Sequence, residues 1–156
     1  MQILQIGRLS NDVNAYLERE YGACALWQQT QIDEFLQQYG ANFELVVTSA
    51  AYGLTAAHMA MLPNLRAVCS FGVGYDSIDV AALQQNSIVL SNTPDVLTDC
   101  VADLAMGLLI DVSRGISAGD RYARAGLWGS KQRMGMGTRV TGKKLGILGL
   151  GRIGLA

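Results

Sequence analysis

Three glycines stand at a spacing that suits chemistry on a phosphate: Gly149, Gly151 and Gly154, in Leu148-Gly149-Leu150-Gly151-Arg152-Ile153-Gly154-Leu155-Ala156. They follow the apolar run Leu145 to Leu148, which reads as a strand. In a GxGxxG turn the first glycine makes the bend, the second lets the backbone approach a pyrophosphate, and the third lets helix and strand pack closely. A dinucleotide fits such a turn; a plain βα turn is the other reading. Two residues follow Gly154, so neither the phosphate-holding helix nor an acidic or basic residue about 20 positions on, which would separate NAD from NADP, lies within these 156 residues.

A second glycine pair occurs in Ser70-Phe71-Gly72-Val73-Gly74-Tyr75-Asp76, where a strand gives way to a helix. Backbone N–H groups in such a turn can converge on an anion, and ligands of open α/β sheets sit at the carboxyl ends of strands. Asp76 and Asp79 could form an acid/base pair, but their spacing better suits an N-cap with an acidic partner at the start of the next helix. His58 is the only histidine. No nucleophile arrangement and no metal-ligand spacing includes it, so a helix-surface histidine is expected there and no metal. Trp128 reads as a packing anchor.

These residues need a scaffold, and the sequence describes one. Half of the residues are hydrophobic, 16% are charged, and glycine (18) far outnumbers proline (2), as suits an α/β protein with many tight turns. Strand-like runs recur at Gln2 to Ile6, Ala23 to Trp27, Phe43 to Thr48, Arg66 to Phe71 and Ile88 to Leu90. Helix-like segments lie between them, around Asp12 to Glu20, Ile32 to Tyr39, Thr55 to Leu62 and Ile78 to Gln85. This alternation predicts a mostly parallel sheet covered on both faces.

Asn92-Thr93-Pro94-Asp95 breaks the pattern. Beyond it, Val101, Leu104, Ala105, Leu108, Leu109 and Val112 form a helical stripe over Asp99 to Arg114, with Thr98 as expected N-cap. Ala102, Met106 and Ile110 make the opposite face apolar as well, which suits an interdomain or intersubunit element. A helix over Ser117 to Ala125, an irregular stretch over Gly126 to Gly142, and a strand over Lys143 to Leu148 should follow.

Charge and cysteine usage limit the partners. Residues 1 to 113 hold three basic and twelve acidic side chains; residues 114 to 156 hold nine basic and one acidic. A basic tail can signal nucleic acid, but neither aromatic interleaving nor a helix-turn-helix pattern accompanies it, and contact with acidic surface or an anionic cofactor is the preferred account. Cys24, Cys69 and Cys100 match no paired pattern, which suits a reducing cytoplasm. No basic leader opens the sequence, and its longest apolar run, Val101 to Ile110, falls well short of a membrane span of about 18 residues.

Three blocks in order resemble the D-isomer-specific 2-hydroxyacid dehydrogenases, particularly the glyoxylate/hydroxypyruvate reductase branch: Ser70 to Asp79, Ser91 to Ala105, and Gly142 to Gly154. The resemblance runs over essentially the whole chain. It implies the first part of a flavodoxin-like, parallel-sheet substrate domain over residues 1–95. Over residues 96–156 it implies an interdomain helix and the start of a Rossmann dinucleotide-binding domain, cut short. It also implies a homodimer in the full-length enzyme. By position, the amides of Val73 and Gly74 would hold the substrate carboxylate, with Ser49 near the same pocket. Thr98 would contact the nicotinamide of NAD or NADP, and Gly149, Leu150, Gly151, Arg152, Ile153 and Gly154 its pyrophosphate. The family's proton-transferring histidine, the carboxylate that orients it and the substrate-binding arginine lie downstream in its members, and His58 matches none of them. These residues alone are therefore expected to be inactive on 2-oxoacids. A non-catalytic NAD(H)-sensing or corepressor-type protein of the same fold is the alternative.

Overall fold

The computed structural model describes residues 2–156, which divide into two compact units, 2–96 and 97–156. The first is a five-stranded sheet whose strands are all parallel: β1 (Gln2–Gln5), β2 (Cys24–Ala25), β3 (Phe43–Thr48), β4 (Ala67–Ser70) and β5 (Val89–Ser91), in spatial order 2-1-3-4-5. Helices α1 (Asn11–Tyr21), α2 (Ile32–Tyr39), α3 (Ala56–Ala60) and α4 (Val80–Gln85) make the crossovers that parallel pairing requires.

Alternation along the strands builds two unlike faces. Leu4, Val46 and Val68, each 0% exposed, point to one side and pack with Leu36 of α2, Met59 of α3 and Leu83 of α4. The opposite face carries Ile3, Leu45, Val47 and Cys69, and the expected cover there is only partial. Val13, Leu17 and Tyr21 of α1 line a groove of about 390 Å³ that runs on to Ser91 and Asn92. One helix cannot span five strands, so the groove stays open.

Helix ends follow local chemistry. Gly22 closes α1 at φ 60°, its N–H donating to Glu18 O (2.9 Å). Thr55 caps α3 through the His58 N–H (3.2 Å), and Asp79 caps α4 through the Ala82 N–H (3.0 Å). Asp79 is thus itself the cap, because α4 starts at Val80; Asp76 lies in the turn before it and does not cap.

The second unit holds α5 (Thr98–Arg114), α6 (Ile116–Arg124) and the single-turn α7 (Arg152–Leu155). Gly115, at φ 66°, ends α5, and the Asp111 carboxylate accepts from the backbone N–H and the hydroxyl of Ser117, both at 2.6 Å, to fix the corner into α6. Thr98 is not an N-cap: the capping position belongs to Leu97, which has no side-chain acceptor, and Thr98 is the first helical residue. The strand expected over Lys143 to Leu148 is likewise absent. Strand pairing needs a neighbour, and Leu97–Ala156 contains no second strand, so Leu145, Ile147 and Leu148 stay exposed despite their β-type pattern. Among the described residues no helix is long and apolar enough to cross a membrane.

Candidate functional site

In the order 2-1-3-4-5 the chain leaves β1 toward one edge of the sheet and returns at β3 on its other side, which opens a crevice at the carboxyl ends of the two strands. Three loops meet there. The loop after β3 is a tight turn, with Ser49 O accepting from the N–H groups of Tyr52 (3.1 Å) and Gly53 (2.8 Å), and Thr48 Oγ1 donating to Gly53 O (2.8 Å). Its tip reaches the β1 loop, where the Tyr52 hydroxyl donates to Arg8 O (3.0 Å) and the Tyr52 ring lies where a Cβ on Gly7 would stand. Its other flank touches the β4 loop: Leu54 donates through its backbone N–H to Ser77 O (3.2 Å), and Gly53, at φ +69°, leaves no room for a Cβ against that same carbonyl.

The β4 loop contains the expected anion residues. Gly72 adopts φ +140°, a backbone conformation that favours glycine. All three of its central carbonyls are tied back into the protein. Gly72 O accepts from the Thr93 N–H (3.0 Å), Val73 O from Asn92 Nδ2 (2.8 Å), and Gly74 O from Ser70 Oγ (3.1 Å). Neither the Val73 nor the Gly74 N–H donates to any described residue. Fixed carbonyls beside two uncommitted amides make a positive concavity of the kind that holds an anion. Asp76 Oδ2 lies 3.5 Å from where a Gly74 Cβ would be, so an anion has to enter from the side away from that carboxylate.

Val73 and Gly74 thus lie on a loop beside the one that carries Ser49. Gly74 packs against Ala50, and the half-buried Ser49 precedes it in the same turn. Sequence reasoning missed the residues that hold the crevice in shape, Asn92, Ser70 and Tyr52. For Asn92 a signal was present, since an asparagine just before Thr-Pro is a turn residue whose side chain commonly bonds backbone. For Tyr52 there was none, because its partner is 44 residues away. His58 lies on α3, and Thr55 accepts its backbone N–H. No group of three or more His, Cys, Asp or Glu among the described residues could hold a metal. Burial pushes the Cys24 and Cys69 thiols up from their ordinary value, which disfavours the nucleophilic thiolate at both.

The other expected residues belong to the second unit. Thr98 opens α5, against which α7 packs. Gly149 adopts φ +96°; a Cβ on Gly151 would meet open space; and a Cβ on Gly154 would collide with Gly149 O at 2.1 Å. A bend, an unobstructed backbone and a close approach are the three tasks a dinucleotide turn asks of its glycines, so these residues fit the cofactor.

Residues 3–146 match the model for the D-isomer specific 2-hydroxyacid dehydrogenase catalytic domain. Glyoxylate/hydroxypyruvate reductase A of Arabidopsis thaliana is 37% identical over 154 residues, covering 99% of this chain and 49% of that protein. Among solved structures, a 2-hydroxyacid dehydrogenase from Ketogulonicigenium vulgare superposes with a TM-score of 0.89 at 34% identity, over 99% of this chain and 48% of its own. An NADPH-dependent glyoxylate/hydroxypyruvate reductase from Sinorhizobium meliloti, solved with NADP and malonate, gives 0.80 at 30% identity, over 99% of this chain and 47% of its own. The chain spans about half the length of the curated relatives it matches. It belongs to the D-isomer specific 2-hydroxyacid dehydrogenase family.

Proposed function

We propose that these residues supply the carboxylate-binding loop and the opening turn of the dinucleotide site in an enzyme that interconverts small 2-oxoacids, such as glyoxylate or hydroxypyruvate, with their 2-hydroxyacids. The observation that carries the proposal is the β4 loop, whose carbonyls at Gly72, Val73 and Gly74 are engaged while the amides of Val73 and Gly74 are not. Two N–H donors on a rigid turn match the two oxygens of a carboxylate and fix which end of a small acid enters the crevice. Ser49 adds a hydroxyl at the rim. NAD(H) or NADP(H), held at Gly149, Leu150, Gly151, Arg152, Ile153 and Gly154 with Thr98 at the nicotinamide, would supply the hydride chemistry. Residues 1–95 form the first part of the substrate domain in this proposal, and residues 96–156 the start of the dinucleotide domain. We further place the enzyme in the cytoplasm as a homodimer.

Titration with glyoxylate, followed through backbone amide NMR signals, should move Val73 and Gly74 first and saturably. Shifts confined to other loops would remove the carboxylate assignment. Residues 1–156 alone should consume neither NADH nor NADPH with glyoxylate, because their one histidine, His58, matches none of the family's catalytic positions. Turnover above background would overturn that account.

A further inference from the structure

Beneath α1, at the β2 edge of the sheet, lies a cavity of about 270 Å³ that none of the β3 or β4 loop residues lines. Its walls are Gln5 of β1, Asn14 and Glu18 of α1, Cys24 of β2, and Trp27 and Gln28 of the turn that follows. Gln5 is the informative member, a polar side chain only 2% exposed.

The hydrogen bonds around Gln5 have one consistent direction. Asn14 Nδ2 donates to Leu9 O (3.0 Å), so Asn14 Oδ1 is the acceptor, taking the Leu9 N–H (3.0 Å) and Gln5 Nε2 (2.7 Å). Gln5 Nε2 spends its other proton on Gly7 O (2.9 Å). Both donors are thereby used, and Gln5 Oε1 accepts from no described residue. Every fully buried side-chain nitrogen or oxygen among the described residues has a partner, so this oxygen is not sealed off, and Gln5 lines this cavity. An amide oxygen that reaches an opening can accept from a donor that enters it.

Glu18 stands one helical turn after Asn14 and makes no ion pair among the described residues. An amide oxygen and a carboxylate accept but cannot donate, and the carboxylate adds negative charge. The half-buried Trp27 also lines the cavity, which places an indole reporter beside it.

We infer that this cavity binds a small cation bearing N–H donors, a primary ammonium or a guanidinium, with Gln5 Oε1 and Glu18 accepting from its head. Its occupancy is independent of the carboxylate loop, since the two share no residue.

The test titrates the protein with ethylammonium and, separately, ethylguanidinium, and follows the indole N–H NMR signals of Trp27 and Trp128. Saturable movement of Trp27 with Trp128 unmoved is expected for at least one cation, and the one that saturates at lower concentration identifies the head. Tetramethylammonium, which is charged but has no N–H, should do nothing. Glu18→Gln, at an exposed position that leaves the fold intact, should weaken binding about tenfold or more, the loss of one charge-assisted hydrogen bond. Failure of both cations to saturate, an equal response to tetramethylammonium, or unchanged binding in Glu18→Gln with an unaltered melting temperature would each overturn the assignment.

Discussion

At Gly53 two demands coincide: the backbone is at φ +69°, and the Ser77 carbonyl oxygen lies 2.2 Å from where a Cβ would be. Gly53→Ala should therefore lose about 2 to 4 kcal/mol, read from urea unfolding, since strain and a backbone clash add. Gly7 is constrained differently. The obstacle to its Cβ is the Tyr52 ring, a side chain that can be removed. Gly7→Ala should destabilise the protein alone and do so far less in a Tyr52→Ala background, with a coupling of at least about 1 kcal/mol in the double-mutant cycle. Equal effects in both backgrounds would mean that the ring yields without cost. The glycines of Gly72-Val73-Gly74 were legible in the sequence because an anion-binding turn demands their residue type. Tyr52 was not, because its meaning depends on a loop 44 residues earlier.

Between strands and helices, capping separates two threonine and aspartate positions that look alike in the sequence. Asp79→Ala should cost about 1 kcal/mol, because it strips the acceptor from the Ala82 N–H. Thr98→Ala should change stability by less than about 0.5 kcal/mol, because Thr98 caps nothing. The α5–α6 corner adds a pH dependence. The hydroxyl and N–H of Ser117 hold the Asp111 carboxyl below its ordinary value of 3.8. A carboxyl lowered in the folded state stabilises fully above its unfolded value and loses that contribution as pH falls through the folded one. The protection of the Ser117 amide, measured as its exchange rate relative to the intrinsic rate at each pH, should accordingly fall in acid, and Asp111→Asn should flatten that dependence. Strands and helices of the first unit were readable because each finds its partner within residues 2–96. The Lys143 to Leu148 pattern was read as a strand and is not one here, since periodicity reports which face would be buried and pairing needs a neighbour that residues 97–156 do not contain.

Across the whole molecule the two units differ in what holds them. The first is organised around Leu4, Val46 and Val68, three adjacent strand positions with no exposure. Val46→Ala should cost about 2 kcal/mol or more in thermal unfolding, the loss of buried methyls plus the void they leave. In the second unit, residues 125–151 contain neither helix nor strand, though Thr138 N donates to Ser113 O (2.6 Å) and the Tyr122 hydroxyl to Gln132 O (2.6 Å). Limited proteolysis should cut within 125–151 before any site in the sheet, and early cleavage in β3 or β4 would contradict that ranking. The strand order carries one more consequence, for assembly. A chain made from its amino terminus presents β1 first; β2 joins one side and β3 the other, and β4 and β5 then extend the β3 side in turn. No strand ever has to wedge between two that are already paired. Synthesis and sheet growth thus run in the same direction, each new strand meets a waiting edge, and among these five strands β2 and β5, the latter with Val89 64% exposed, form the two outer edges.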